Sequence, residues 1–322
     1  KQLDRSYQDF FRRIKKGETP GFPRFKGKDR FKSICYPQPK FDLSGGCVKK
    51  LANGKLQISK LPGELKVKWH RPLEGRCKQV RIIKQADRWF ICLSCDDVPM
   101  TPLGSTGKTV ALDLGITNFI TQDDGAQHHH PRAYKTAKEK LANHNRKLAA
   151  KQRGSNNRQR ALVALQRAHQ KVYNVRSDFQ HKLSKQLVKE NDIIIIEKLN
   201  INSILENKGF AASKSNITDA SWGSFAAMLS YKAENAGRKI IEVDPRNTSK
   251  TCSGCGNVKK NLTLQDRLYH CDACGIEMDR DQNAAINIKK LGMSFEMSLR
   301  HSEVLSSRMI HASQRRFESS RS

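Results

Sequence analysis

The chain has 322 residues, room for about two domains at the usual ~150 residues each and for a substantial hydrophobic core. Lys and Arg number 60 against 31 Asp and Glu, and a net charge of +29 excludes an ordinary metabolic enzyme in favour of a polyanion partner, nucleic acid before an anionic membrane surface. With 37% hydrophobic residues and no aliphatic run longer than Ile193–Ile196, no membrane span is expected, and without a signal-like opening segment the nine cysteines are expected as thiols or metal ligands rather than disulfides.

Residues 1–31 read as the end of a basic helix (Leu3, Tyr7, Phe10, Phe11, Ile14) closed at Gly17. Six short β-rich runs come next, Ser33–Tyr36, Val48–Leu51, Lys55–Ile58, Glu64–Trp69, Gln79–Lys84 and Arg88–Cys95. Turn signals separate them, and strands at this spacing predict a small β-barrel over 32–101, with a generic β-sandwich as the alternative. Residues 102–107 read as a linker. Thr109–Leu114 and Asn118–Gln122 are then buried strands, and Asp123-Asp124-Gly125 is the turn that closes a hairpin. The stretch 131–190 is helical, broken at Gly154-Ser155-Asn156-Asn157, and its 16 Lys/Arg against three acids make it the most one-sided charge in the chain. That imbalance marks a nucleic-acid face, with Lys138, Arg146, Lys147, Lys151, Arg153, Arg158 and Arg160 as candidate contacts. A buried strand at Ile193–Ile196, a helix at Ser221–Ala236 and a strand at Lys239–Val243 complete an α/β pattern. The serine-rich last 30 residues lack periodicity and predict a disordered tail.

The sharpest motif is Cys252-Ser-Gly-Cys255, followed 15 residues later by Cys271-Asp-Ala-Cys274. Two such knuckles at that separation predict one structural zinc held by Cys252, Cys255, Cys271 and Cys274, with Gly254, Gly256 and Gly275 permitting the tight turns. Cys92-Leu-Ser-Cys95 has the same local spacing but lies in a predicted strand, where residues three apart face opposite ways. It is read as strand filler, as are Cys35, Cys47 and Cys77, and His128-His129-His130 is read as a solvated loop. Three carboxylates stand out for a different reason. Asp113 and Glu197 each end a buried strand, and Asp281 opens a probable helix. An acid closing an aliphatic strand is costly unless it binds a cation or lies at the sheet's edge, so the set either surrounds two Mg²⁺ ions for phosphodiester chemistry or consists of caps and surface acids.

The residues also resemble a known family. Gly21-Phe-Pro-Arg-Phe-Lys, Trp69-His-Arg-Pro-Leu-Glu-Gly, Ala111-Leu-Asp-Leu-Gly-Ile, Arg176-Ser-Asp-Phe-Gln-His-Lys, Ile196-Glu-Lys-Leu-Asn, Asp219-Ala-Ser-Trp-Gly-Ser-Phe, Val243-Asp-Pro, both knuckles and Asp279-Arg-Asp-Gln-Asn-Ala-Ala-Ile-Asn-Ile occur in the order seen in TnpB, the OrfB-type proteins of bacterial insertion sequences, and the chain is similar to the related type V CRISPR effectors. The resemblance implies an α/β RNase H-like (RuvC) nuclease domain with an inserted zinc ribbon, behind a wedge-like β-barrel and a remnant of a helical recognition region. On this chain that division becomes 1–31 for the helical remnant, 32–101 for the barrel, 108–250 for the first nuclease part with its basic hairpin 131–190, 251–275 for the ribbon, 276–292 for the last nuclease part and 293–322 for the tail. It also implies catalytic acids at Asp113, Glu197 and Asp281 holding two Mg²⁺, with Asp279 a decoy, and Lys198 where the family often has Asp. The expected partners are a guide RNA from the transposon end and a target DNA cut beside a short adjacent motif, with a monomer on its RNA in the bacterial cytoplasm near the nucleoid. The first residue, Lys1 in place of Met, implies missing sequence upstream and with it part of the surface that reads that motif. The rival readings are a cleavage-impaired nucleic-acid-binding relic and a strand-joining transposase.

Overall fold

A helix whose apolar residues fall on one stripe needs something to cover that stripe. In α1 (Gln2–Lys15) Tyr7 and Phe10 meet Phe22 edge-on, with ring centroids 5.9 and 5.5 Å apart, and the chain leaves the helix through Gly17 at a positive φ of 68°. The computed structural model describes residues 2–25, 27, 31–42, 45–198, 218–263 and 266–298 and divides the chain into two units, Lys1–Pro99 and Met100–Ser322. The first unit contains β1 (Ser33–Tyr36), β2 (Val48–Lys50), β3 (Leu56–Ile58), β4 (Glu64–Leu65), β5 (Arg76–Gln85) and β6 (Arg88–Asp96). They pair as two three-stranded antiparallel sheets, β1-β5-β6 and β2-β3-β4, around one core of Phe41, Val48, Leu56, Ile58, Val80 and Ile82. The expected barrel is therefore not closed by hydrogen bonds among the described residues. β4 stops after two residues, and Trp69, expected in that strand, instead donates its indole N–H to the Gly54 carbonyl at 2.7 Å.

The stretch expected as a linker, 102–107, is not free. Leu103 N–H donates to the Ala236 carbonyl, and the Ser105, Thr106 and Gly107 donors converge on the Asp192 carboxylate at 2.5–3.0 Å. Arg238 approaches the same carboxylate at 2.5 Å, and the Ser105 hydroxyl first among these donors holds Asp192 far below the usual carboxylate range.

The second unit is built on a five-stranded sheet in the order β11-β10-β7-β8-β9, from β7 (Thr109–Leu114), β8 (Asn118–Gln122), β9 (Gln127–His129), β10 (Ile193–Glu197) and β11 (Lys239–Val243). β7, β10 and β11 run parallel, while β8 and β9 return antiparallel through the expected turn, where Gly125 has φ 90°. The basic stretch folds as α2 (Ala133–Ala149) and α3 (Asn156–Glu190), with the Ser155 hydroxyl accepting the Arg158 N–H as an N-cap. α4 (Trp222–Ala236) comes after it, and a last helix, α5, covers 280–298.

Strand residues alternate faces, and here the alternation decides function. Val110, Leu112, Ile194 and Ile196 point to one side, where Leu183 and Leu187 of α3 and Phe225 and Leu229 of α4 cover them. Ala111 and Ile195 point to the other, where Ile288 of α5 packs. A Cβ on Gly292 would lie 2.5 Å from Ile195, so α5 crosses β10 where no larger residue fits. The tail expected to be disordered from 293 is helical through 298, and Glu296 there is buried and paired with Lys239 because the apolar stripe of α5 continues along the sheet with Met293. Residues 299–322 lie outside the described residues. Among the described residues no helix is long and apolar enough to cross a membrane.

Candidate active site and metal centre

The next residue after Ala111 on its face of β7 is Asp113, and the next after Ile195 on β10 is Glu197. β7 and β10 are neighbours in register, with Ile196 opposite Leu112, so the two acids emerge side by side one step further on, at the carboxyl ends of parallel strands. α5 covers the same face and carries Asp281 in its first turn, where its Oδ2 lies 4.0 Å from where a Cβ on Gly115 would sit. Gly115 has no room for that carbon, since it would come within 2.7 Å of the Asn118 carbonyl. The turn after β7 thus stays tight enough for α5 to approach.

Asp113, Glu197 and Asp281 are brought together in this way, and their electrostatics reflect it. Burial raises Asp113 well above the usual carboxylate range, and the Glu197 and Asp281 charges raise it further, with Arg280 opposing. Burial also raises Glu197, against a 2.8 Å hydrogen bond donated by Thr248. Asp281 is paired with Arg280 at 3.2 Å, and Arg267 stands 4.0 Å off. Three carboxylates recessed on one face, with Asp113 raised by burial and by the charges of the other two, are a hard-oxygen donor set of excess negative charge, the chemistry that suits Mg²⁺. The three carboxylates are nevertheless not gathered around one point: among the described residues the only group of three or more ligand-type side chains with all its ligand atoms within 4.8 Å is the four cysteines.

Asp279 is used differently. It ends β13 (Glu277–Asp279), and its Oδ1 accepts the Asp281 and Gln282 N–H groups at 2.9 and 3.1 Å. It is the N-cap of α5.

Cys252, Cys255, Cys271 and Cys274 form the cluster, with Sγ–Sγ distances of 3.6 Å for Cys252–Cys274 and Cys255–Cys271. Each knuckle closes through a glycine at positive φ, Gly256 (81°) and Gly275 (71°), whose N–H donates back to the carbonyl of Cys252 or Cys271. Gly254 serves by size, since a Cβ there would be 3.0 Å from Ile276 and 3.6 Å from the Cys252 sulfur. The second knuckle hangs on a hairpin of β12 (Leu268–His270) and β13, two strands too short to be expected from their sequence. Backbone donors from Cys274 and Ala273 lower the Cys271 thiol to about 6. The Ile276 N–H lowers Cys274, but its contacts with Cys255 and Cys271 outweigh that and raise it to about 12. Four cysteine sulfurs gathered this closely are the donor set that suits zinc.

The remaining candidates separate cleanly. Lys138, Arg146, Lys147, Lys151, Arg153 and Arg160 are exposed on the α2–α3 hairpin, whereas Arg158 donates to the Leu148 and Lys151 carbonyls at 2.8 and 3.0 Å and so closes the end of α2. The histidine triplet is not a solvated loop. His128 lies in β9 and bonds Gln122 at 2.9 Å, and His130 bonds the Asp219 carbonyl at 3.1 Å beside Phe119, because an edge strand turns alternate residues inward. Cys95 lies opposite Cys77 in the β5–β6 ladder and Cys92 opposite Arg81, and neither belongs to the ligand cluster. Thr248, Asn283 and Asn287, buried polar residues around the acids and the first knuckle, were not among the sequence-based candidates. The signal was present for two of them: Asn283 and Asn287 are one turn apart in a helix otherwise apolar there.

Residues 90–208 match a family model described as Probable transposase (OrfB, IS605 type), and 222–288 match one described as Cas12f1-like, TNB domain. A Streptomyces pristinaespiralis protein named as an RNA-guided DNA endonuclease is 33% identical over 301 residues, covering 91% of this chain and 70% of that one. The chain belongs to the TnpB (OrfB-type) family. Its other relatives in the family include InsQ of Escherichia coli K12, also named as an RNA-guided DNA endonuclease, at 28% identity over 91% of this chain and 72% of the relative. A mimivirus TnpB-like protein is 29% identical over 71% of this chain and 46% of its own length. Among solved structures, the Cas12f1–sgRNA–target DNA complex aligns over 65% of this chain at 17% identity with a TM-score of 0.41. The chain spans about half the length of the solved structures it matches, 55% and 45% of two Cas12f chains.

Proposed function

We propose that the chain is an RNA-guided DNA endonuclease whose chemistry is carried by Asp113, Glu197 and Asp281 in an RNase H-like (RuvC-type) domain. The observation that supports this most is the convergence of three carboxylates from β7, β10 and α5 on one face of a sheet ordered β11-β10-β7-β8-β9, with Asp113 and Glu197 both raised by burial. Such a donor set fits Mg²⁺, which when bound supplies Lewis-acid stabilisation of the phosphodiester oxygens and a water of lowered pKa. The chain's own part is to hold those carboxylates in a recess, with Arg280 and Arg267 beside Asp281 as positive charge near an anionic substrate. The four cysteines fit one zinc. Four protein ligands leave no open position, so that ion has a structural role.

The partners in this reading are a guide RNA and a target DNA. The net charge of +29 and the exposed hairpin cations support them, as do the names of relatives described as RNA-guided. Base pairing would select the target while the protein grips backbones, so affinity should be largely sequence-independent and fall steeply with salt. The test is to express the chain with its flanking DNA, sequence the RNA that co-purifies, and assay plasmids carrying the complementary target with Mg²⁺. A discrete RNA and guide-dependent cleavage are expected. Cleavage without the RNA, or a discrete RNA with no cleavage of any complementary DNA, duplex or single-stranded, would overturn the reading.

A further inference from the structure

Between β11 and the first knuckle, the chain does something that an acid site alone does not require. β11 ends at Val243 opposite Glu197, and residues 244–251 then fold back through Asn247, which has a positive φ of 60°. The Thr251 N–H closes that turn on the Asn247 carbonyl at 2.9 Å. The turn delivers Thr248, 3% exposed, with its Oγ1 2.8 Å from Glu197 Oε1 and 3.0 Å from the Pro245 carbonyl. A hydroxyl has one proton to give, and an ionised carboxylate takes it in preference to a neutral carbonyl because charge-assisted hydrogen bonds are the stronger.

Thr248 is held from its other side by α5. Asn287 Nδ2 donates to the carbonyls of Thr248 and Thr251 at 2.9 and 2.7 Å. One turn earlier, Asn283 donates to the Thr251 carbonyl and accepts the Ser253 N–H, both at 2.8 Å. Lys290 reaches the Ser253 carbonyl from the same helix. Glu197 and Asp281 therefore sit at the two ends of one hydrogen-bonded path: Glu197, Thr248, Asn287, then α5 back to Asp281. A glutamate at a strand end has three side-chain torsions to fix, and holding them in one conformation costs entropy that a hydrogen bond can offset.

We propose that Thr248 is a positioning residue that fixes the Glu197 carboxylate, and that Asn283 and Asn287 key its position to the helix carrying Asp281. This rests on the nuclease reading above, in which Glu197 is a metal ligand. The competing account is that the Thr248 hydroxyl only closes the Pro245 turn.

The experiment compares Thr248→Val, which keeps the shape and removes the hydroxyl, with Thr248→Ser, which keeps the hydroxyl. Binding of Mn²⁺ to the full chain is read from the EPR signal of the free ion, with the Asp113→Asn/Glu197→Gln double variant as the blank. Loss of such a supporting hydrogen bond weakens metal affinity by about tenfold or more. Thr248→Val should show that loss, Thr248→Ser should restore affinity to within about twofold of wild type, and Thr248→Val should add nothing in a Glu197→Gln background. Equal affinity in wild type and Thr248→Val would overturn the positioning role alone. So would a loss of the same size in the Glu197→Gln background. Wild type binding no better than the blank would overturn the nuclease reading and this inference with it. Should Thr248→Val not fold, Thr248→Ala against Thr248→Ser makes the same comparison.

Discussion

The cysteine cluster and the three acids of the second unit are assembled by opposite means. The four cysteines come from one short segment, and the hydrogen bonds that aim their sulfurs lie within it: Gly256 to Cys252, Gly275 to Cys271, Cys271 to Ile276. The three acids come from two strands and a helix far apart in sequence, and nothing near any of them in the chain aims it at the others. What brings Asp113 to Glu197 is the β7–β10 register, and what brings Asp281 is the packing of Ile288 and Gly292 against β10. A local cluster can be read from spacing, while a distributed one has to be read through the fold. The difference is also energetic. Backbone donors lower the Cys271 thiol, whereas burial raises both Asp113 and Glu197, so ionising those two carboxylates opposes folding.

The largest expected effects fall on the distributed site. Asp113→Asn, Glu197→Gln or Asp281→Asn should each lower cleavage by roughly 10³-fold or more, the kinetic equivalent of several kcal/mol of metal-borne stabilisation, with RNA binding retained. A single variant cleaving within tenfold of wild type would remove that acid from the set. The local site should fail differently. Cys252→Ser should lose the one zinc in elemental analysis and melt the ribbon, since metal binding in such segments is folding free energy. Because Asn283 holds the backbone of Thr251 and Ser253 on either side of Cys252, cleavage should fall as well. Cys95→Ser should keep its zinc, and its loss there would show that the upstream pair is a ligand after all.

A smaller effect sharpens the energetic half of the contrast. Glu197 has its pKa raised in the folded chain, chiefly by burial. A raised carboxylate disfavours folding increasingly as pH climbs from its unfolded value, about 4, through its folded one, because the folded state resists giving up the proton. In divalent-free buffer at pH 7 the neutral isostere should therefore be the more stable. Glu197→Gln is expected to raise the melting temperature, by roughly 2–4 °C for each 1 kcal/mol relieved in a unit of this size, and the gain should vanish at pH 4. A lower melting temperature at pH 7 would mean that the acid is satisfied without a cation.

The parts of this molecule that were legible in the sequence obey the same division. β1 and β11 coincide with the expected runs, as do the break in the basic hairpin and the knuckles, because alternation, Gly-Ser-Asn-Asn and Cys-x-x-Cys act over a few residues. Closure of the barrel was not legible: strand spacing says nothing of where β4 stops, and it stops at Leu65, with the Trp69 indole donating to Gly54. Residues 102–107 look like a linker by composition, and only the position of Asp192 makes them a docked segment. The acids' positions at strand ends were readable, their convergence was not, and Thr248 carried no signal, since a threonine in a turn is ordinary until β11 is placed beside β10.

Asp279 gives the finest test, because it lies two residues from Asp281 and differs from it only in what the fold does with its carboxylate. Asp281 turns toward Arg280 and the acid recess, while Asp279 turns back onto the first N–H groups of α5. Removing an N-cap carboxylate costs about 1 kcal/mol, through two unsatisfied donors and a lost charge at the positive end of the helix dipole. Asp279→Ala should therefore lower the melting temperature by roughly 2–4 °C and leave cleavage within about tenfold of wild type. Asp279→Asn, which caps nearly as well as Asp, should recover most of the stability. An essential metal ligand would behave the other way: the amide would rescue stability but not cleavage, because a neutral oxygen replaces a carboxylate at the ion. If Asp279→Asn abolishes cleavage while Asp281→Asn does not, the third acid has been assigned to the wrong side of the first turn of α5.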